Sequence, residues 1–245
     1  MKGVVKDNSK GFYKTILLLL VAFSICIVQG CSKADDEDDG ANRDSYVKLG
    51  NGNYSVNGHE AVDLGLSVLW ATCNIGSSSP KEVGNYYAWG ETYTKKSYSW
   101  DNYEWLSSSL KITKYKNRGD LLKPEDDAAT VKWGKGWRMP TKEELDELFE
   151  SCTFSSVREK LLIDGKERSR VVGYEVTGPS GKKIYVPASG YYEDAELKND
   201  KYSLGYVRLW SSTSDGQRAY SYDEFWDCAR AHYRFYGFPI RPVVE

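Results

Sequence analysis

The sequence predicts an α+β domain in which many short antiparallel strands and long loops surround one or two helices. An amphipathic helix with a complete N-terminal capping signal lies at 141–152, and apolar runs of strand length alternate with Asn-Gly and Gly-Pro turn signals. Aromatic residues make up 14% of the chain, including 19 tyrosines. Tyrosine at this density suits half-buried strands, because its ring is apolar and its hydroxyl is polar.

The first thirty residues are expected to be a signal peptide and are excluded from the fold. A basic start with four lysines precedes an apolar stretch at 16–28, and Cys31 ends a Val-Gln-Gly-Cys sequence that reads as a lipoprotein cleavage site. The apolar stretch is shorter than the ~20 residues of a membrane-spanning helix. We therefore expect lipid on Cys31 to anchor the chain to a membrane, the alternative being an ordinary signal peptide.

Residues 31–45 are predicted to be the lipidated cysteine and a solvated acidic tether. Five acidic residues in a row, from Asp35 to Asp39, offer no apolar surface to offset the entropy of ordering. The run resembles the export signal of Bacteroidetes lipoproteins, which implies display on the outer face of the outer membrane; a charged spacer is the alternative. Loss of the leader moves the formal net charge from −2 to −5, and this acidic chain without a basic cluster is not typical of nucleic-acid-binding proteins.

Residues 46–245 are predicted to form one domain. Strands are expected within 46–76, at 171–177 and 182–186 on either side of a Gly-Pro-Ser-Gly turn, and at 207–212 and 217–220. The closing stretch, 236–243, contains two prolines, which favour the edge of a sheet. Residues 77–123 lack periodicity and are expected to be long surface loops. A short helix is expected at 124–131.

The central helix is predicted from its capping box and its periodicity. The Thr141 hydroxyl can accept the Glu144 N–H while the Glu144 carboxylate reaches back to the Thr141 N–H. Helical spacing then places four apolar residues on one face: Leu145, Leu148, Phe149 and Cys152.

Several short motifs follow one another in a fixed order. Residues 137–145 read Trp-Arg-Met-Pro-Thr-Lys-Glu-Glu-Leu, and further motifs lie at 62–76, 87–91, 186–190, 210–213 and 240–243. Together they resemble the Fibrobacter succinogenes major paralogous domain, a family of bacterial secreted and lipid-anchored proteins, over about residues 60–244. The resemblance implies a C-type-lectin-like fold, which formylglycine-generating enzymes share, and a structural signature of seven residues: Trp137, Arg138, Pro140, Thr141, Glu144, Trp210 and Arg241.

Cys26 is expected to leave with the signal peptide and Cys31 to carry lipid, so three of the five cysteines remain: Cys73, Cys152 and Cys228. An odd number cannot all pair in an oxidising compartment. The sequence leaves open a Cys73–Cys152 disulfide and two buried free thiols. A formylglycine-generating-like oxidase would need two nearby redox thiols late in the chain, where Cys228 stands alone. The resemblance therefore does not imply that chemistry.

Metal and acid–base motifs are sparse. His59 and His232 lack zinc-ligand spacing and are interpreted as ordinary surface residues, and no serine-hydrolase Gly-x-Ser-x-Gly elbow occurs. The Glu-Pro-Asn and Trp-Asn-Asp motifs by which C-type lectins hold Ca2+ are not intact. No cofactor is therefore predicted, although scattered acids such as Glu193 and Asp215 leave a Ca2+ site open.

Aromatic residues in the last third of the chain are the remaining functional candidates. On loops, such rings stack on sugars or anchor protein interfaces; in a tyrosine-rich sheet they can equally be packed core.

We predict a surface lipoprotein with a non-catalytic binding domain for a glycan or a protein, which contacts the membrane only through its lipid. The alternatives are a formylglycine-generating-like or glycan-processing enzyme and a structural component of a surface assembly. The candidate ligand-binding residues are Tyr191, Tyr192, Tyr220, Tyr222 and Trp226, with Phe225 and Tyr233 beside them.

Overall fold

A computed structural model describes residues 46–163, 165–199, 207–223 and 228–245. These residues belong to one compact unit, 42–245, and the predicted signal peptide, Cys31 and the acidic tether lie outside them. The described part of the chain confirms the predicted α+β fold, with mostly antiparallel strands, two α-helices and long loops. Neither helix is long and apolar enough to span a membrane.

The helices are α1, Ala128–Trp133, and α2, Lys142–Ser151, and single 3-10 turns lie at Trp100–Asn102 and Pro124–Asp126. Most of the strands are short. In chain order they are β1 Tyr46–Lys48, β2 Tyr54–Val56, β3 His59–Val62, β4 Leu69–Ala71, β5 Arg118–Leu121, β6 Trp137–Arg138, β7 Thr153–Ile163, β8 Lys166–Thr177, β9 Lys183–Pro187, β10 Tyr191–Glu193, β11 Glu196–Lys198, β12 Arg208–Asp215, β13 Arg218–Asp223, β14 Cys228–Tyr233 and β15 Val243–Val244.

The largest sheet joins both ends of the described domain. Its six strands run in the order β1-β2-β3-β4-β15-β6, and each neighbouring pair is antiparallel. Val243 pairs with Trp70 of β4 on one side and with Arg138 of β6 on the other. The expected edge position of the C-terminal segment is therefore wrong. Pro239 and Pro242 both precede β15, so neither removes an N–H from its ladder.

A second, three-stranded sheet has the order β7-β8-β9. The predicted hairpin at 171–186 is confirmed as β8 and β9, but β7 was not predicted, because residues 153–163 are rich in polar and charged side chains. β9 pairs only with residues 173–177 of β8. The distal residues of these two strands, 158–162 and 167–171, therefore form a largely exposed two-stranded ribbon, which we call the β7–β8 arm.

The remaining strands form a four-stranded sheet, β14-β13-β12-β5, and a two-stranded ribbon, β10-β11. β12 and β13 confirm the strands predicted at 207–212 and 217–220. β5 lies in the segment predicted as loops, and its residues are mostly exposed. The rest of 77–123 contains one 3-10 turn and isolated bridges, as the lack of periodicity indicates.

Both helices begin with the caps that fix their positions. The α2 capping box is confirmed, with Leu145 and Leu148 buried on its apolar face. The short helix predicted at 124–131 is a 3-10 turn followed by α1. Asp127 caps α1 through Oδ1, which accepts from Ala129 N at 2.8 Å, while its Oδ2 accepts from Met139 N at 2.8 Å. One buried carboxylate therefore ties α1 to the segment that leads into α2.

The buried apolar side chains of the described residues form two clusters. The first is dominated by aromatic rings, among them Trp89, Trp105, Trp137, Trp210 and Phe238. The second contains the apolar face of α2 packed against Trp70, Val176 and Ile184. The surface side chains of the domain therefore project from sheets and helices that pack around a large aromatic core.

Candidate functional site

Arg241, a residue of the seven-residue signature, is fully buried. Its guanidinium donates to Asn74 Oδ1 at 2.7 Å, to the carbonyls of Ala71 and Thr72 at 3.0 and 2.6 Å, and to the carbonyl of Tyr185 at 2.9 Å. Burial lowers the pKa of Arg241 to about 10, so the side chain stays charged at neutral pH. It joins the end of β4 to β9 and is a structural residue.

Arg138 and Glu144 form a second structural unit. Arg138 Nη1 and Nη2 donate to the two carboxylate oxygens of Glu144 at 2.7 and 2.6 Å, and the same carboxylate accepts from Thr141 N at 2.8 Å. The paired carboxylate raises the pKa of Arg138. The carbonyl of Pro140 accepts from Ser212 N at 2.7 Å, so the start of α2 is fixed to β12.

The two signature tryptophans also bond to distant backbone. Trp137 Nε1 donates to the Val56 carbonyl at 3.0 Å, and Trp210 Nε1 donates to the Tyr87 carbonyl at 2.8 Å. Both rings are buried. The signature residues hold the framework together, and a ligand must be sought among other side chains.

Two of the candidate ligand-binding tyrosines belong to the interior. Tyr220 and Tyr222 of β13 are 7% and 3% exposed, and the Tyr222 ring stacks on Phe149 at a centroid distance of 4.4 Å. Their assignment to a ligand surface is corrected to packing, because alternate residues of a central strand face the core. Phe225 and Trp226 lie outside the described residues, and Tyr191 and Tyr192 are half-buried in β10.

Tyr191 lies in a row of rings that three chain segments bring together. We call this row the aromatic strip and define it by Trp100, Tyr191, Tyr233, Phe235 and Tyr236. Neighbouring centroids are 4.6–6.0 Å apart, from Trp100–Phe235 at 4.8 Å and Phe235–Tyr236 at 4.6 Å to Tyr191–Tyr236 at 5.3 Å. Tyr233 is 38% exposed, Phe235 lies beneath the others at 8%, and the remaining rings are half-buried.

Tyr192 connects β10 to the segment that carries Tyr236. Its N–H and carbonyl both bond to Gly237, each at 2.9 Å, which joins β10 to the segment after β14. A Cβ on Gly237 would lie 3.0 Å from the Tyr192 Cβ and from the Tyr98 ring, so the close approach favours glycine. The Tyr192 ring packs edge-on against Tyr86 at 4.8 Å. Tyr192 is therefore a positioning residue.

Charged groups flank the rings of the strip. The Arg218 guanidinium lies 4.9 Å from the centroid of Tyr233, within cation–π distance. The Tyr236 hydroxyl donates to Glu193 Oε1 at 3.3 Å. Burial, together with the Glu193 charge, raises the pKa of Tyr236, so its hydroxyl remains a donor at neutral pH. The strip therefore combines apolar ring faces with both hydrogen-bond donors and acceptors.

Trp100, Phe235 and Tyr236 were not predicted as site residues. Trp100 lies in the long loop region, where functional side chains are common, and Tyr236 follows Tyr233 and Phe235 in a short aromatic run. That local density of aromatic residues is the signal by which the sequence could have indicated the strip.

A Ser-His-Asp contact lies in the four-stranded sheet. Ser221 Oγ is 2.8 Å from His232 Nδ1, His232 Nε2 is 3.4 Å from Asp223 Oδ2, and Arg208 Nη1 is 3.0 Å from Asp223 Oδ1. Serine hydrolases use these three residue types, but their serine must reach the substrate, and Ser221 is fully buried. We interpret the group as a polar network that joins β12, β13 and β14. His232 is half-buried within it, so its interpretation as an ordinary surface residue is wrong.

Cys73 and Cys152 are both free thiols, so the Cys73–Cys152 disulfide is not formed. Cys73 follows β4 close to Arg241, whereas Cys152 follows α2 as its C-cap and packs against the second apolar cluster. The two sulfurs therefore belong to different parts of the domain. Burial raises the pKa of Cys152 to about 11, which keeps it as an unreactive thiol.

The described residues contain no group of three or more His, Cys, Asp or Glu side chains that could hold a metal ion. Of the scattered acids, Asp215 pairs with Arg118 at 3.1 Å, and Glu193 accepts from the hydroxyl of Tyr236 in the strip. Comparison with protein-family models, with curated proteins and with solved structures gives no match, and the resemblance to the Fibrobacter succinogenes major paralogous domain stays a prediction.

Proposed function

We propose that this domain is a non-catalytic binding module that holds a glycan along the aromatic strip. The observation that carries the proposal is the convergence of rings from a loop, from β10 and from the end of β14 into one partly exposed row. The C–H faces of a sugar ring are apolar and its hydroxyls are polar. Tyrosine and tryptophan rings can pack against the apolar faces, and Arg218, Glu193 and the tyrosine hydroxyls can form hydrogen bonds with the sugar hydroxyls.

The proposal includes the cell surface as the place of binding. Lipid on Cys31 would anchor the chain to the outer membrane, and the acidic run at 35–39 supports display on its outer face.

The proposal is tested by measuring binding of the detergent-solubilised full chain to a panel of neutral oligosaccharides. Tyr233→Ala removes an exposed ring from the strip and should weaken binding by about tenfold or more, as loss of an aromatic anchor does. Tyr54→Ala is the control, because Tyr54 is a half-buried tyrosine of β2 outside the strip. Thermal unfolding of each variant shows that it remains folded.

Saturable binding that Tyr233→Ala weakens and Tyr54→Ala leaves intact would support the strip as the glycan site. Equal affinities for the wild-type chain and Tyr233→Ala would overturn this assignment, and so would the absence of binding to every oligosaccharide.

A structural role in a surface assembly is the second candidate, and the β7–β8 arm favours it. Among the described strands, none pairs with the outer edge of β7, and Leu162 on the arm is 80% exposed. An open strand edge is a template for pairing with another chain. Light scattering would then show assemblies of the full chain that Leu162→Glu disrupts; a monomer in both cases would exclude assembly through the arm.

A further inference from the structure

A cleft of about 470 Å³ lies apart from the aromatic strip and shares no lining residue with it. Its volume falls in the range of small-molecule sites. The lining includes aromatic, amide and cationic side chains: His59, Asn85, Tyr87, Tyr93, Lys132 and Trp133.

One wall of the cleft is a rigid aromatic stack. The His59 ring lies parallel to the Trp133 ring, with centroids 3.9 Å apart and an interplanar angle of 8°. Trp133 in turn packs edge-on against buried Trp137 at 5.0 Å. Tyr93 adds a ring that is 47% exposed. The cleft therefore combines the exposed Tyr93 ring with the stack of half-buried His59 on buried Trp133, and ring faces of this kind can pack against the apolar face of a sugar.

Hydrogen-bonding groups accompany these rings. The Asn85 amide lies 3.5 Å from the Tyr87 hydroxyl, whose ring is otherwise buried. Gly76 has a φ of 81°, and a Cβ there would collide with the Asn85 side chain. Because Gly76 has no side chain, the Asn85 amide can lie in the cleft. There the amide can both donate to and accept from sugar hydroxyls.

Lys132 is the charged side chain of the described lining. That lining contains no Asp or Glu, and burial lowers the pKa of His59, which is neutral at pH 7. Two carboxylates lie next to Tyr93: Glu91 is paired with Lys95 at 2.6 Å, and Glu104 accepts a hydrogen bond from the Tyr93 hydroxyl. Lys132 is therefore the group of the lining that can bind an anion.

We infer that the cleft binds a sugar ring that carries a carboxylate, with the aromatic wall against the ring and Lys132 against the carboxylate. This site does not depend on the aromatic strip. The two assignments use different residues and different ligands, an acidic monosaccharide here and a neutral glycan chain there.

The test is calorimetric titration of the full chain with methyl β-glucuronide and methyl β-glucoside, which differ only in the carboxylate. The glucuronide should bind about tenfold more tightly, the effect of one charge-assisted hydrogen bond. Lys132→Gln should remove that preference, and Tyr93→Ala should weaken both ligands. Lys135→Gln is the matched control, because Lys135 is an exposed lysine outside the lining.

Three results would overturn the inference: equal affinity for the two sugars, a preference that survives Lys132→Gln, or no binding of either sugar. None of them bears on Tyr233 and the neutral oligosaccharides, so failure of this inference and failure of the proposed function are distinguishable. Screening gives a further check, since the preference for glucuronide should decrease as the salt concentration rises.

Discussion

Buried arginines bind loop backbone to the sheets of this domain. Arg241 and Arg234 are both fully buried, and each guanidinium donates to main-chain carbonyls. Arg234 Nη1 bonds to the Lys114 carbonyl at 3.0 Å and its guanidinium lies 4.3 Å from the Trp89 centroid. A planar group with five donors can satisfy several carbonyls at once, which a single ammonium cannot do.

Arg241→Lys should lower the free energy of unfolding by about 2–4 kcal/mol, because an ammonium cannot reach all four acceptors and leaves buried carbonyls unsatisfied. Urea unfolding measures the change. Arg168→Lys in the exposed β7–β8 arm is the control and should change stability little. Equal stabilities of the two variants would contradict the role assigned to the Arg241 hydrogen bonds.

The stability of the domain should depend on the protonation of His59. Burial lowers the pKa of His59 below its usual value of 6.5, so the unfolded chain binds this proton more readily than the folded one. The stability that neutral His59 contributes to the folded domain is therefore fully present above pH 6.5, and it is lost as the pH falls through the pKa of His59 in the folded state. Melting temperatures across this range should fall less steeply for His59→Gln than for the wild-type chain; parallel curves would disprove the linkage.

At the scale of elements, local chemistry decides the helices and turns. The α2 capping box needs only Thr141 and Glu144, and the β8–β9 turn needs only the Gly-Pro-Ser-Gly sequence, so both were predicted. β7 and β5 were not predicted, because their strands are largely exposed and lack the alternation of a half-buried strand. They form strands because neighbouring strands pair with them, and their own sequences do not show this pairing.

Thr141→Ala should cost about 1 kcal/mol of stability, since it removes the side chain that accepts the Glu144 N–H. Thr141→Ser retains the hydroxyl and should recover most of this loss, which urea unfolding can resolve. If the alanine and serine variants lose the same amount, packing of the Thr141 methyl group is responsible and the capping argument fails.

At the scale of the whole molecule, pairing between distant segments fixes the architecture. β15 lies between β4 and β6, so the last residues of the chain complete the largest sheet. The same long-range packing places Cys73 and Cys152 in different surroundings, although the sequence left their pairing open.

Alkylation of the unfolded, non-reduced chain should modify both Cys73 and Cys152, and mass spectrometry of the peptides would show it. In the folded chain, Cys152 should react slowly even at pH 8, because burial raises its pKa to about 11. A cross-linked peptide that contains both residues would contradict the free thiols.

The sequence by itself determined the fold class, the capped helix α2 and the β8–β9 hairpin, because each depends on residues a few positions apart. It also indicated Tyr191 and Tyr233, although not their neighbours. Only the tertiary structure decided that Tyr220 and Tyr222 are core, that β15 is central, and that Trp100 lies against Tyr233. These contacts join segments far apart in the chain, and which of them form depends on how the sheets pair and pack rather than on local sequence.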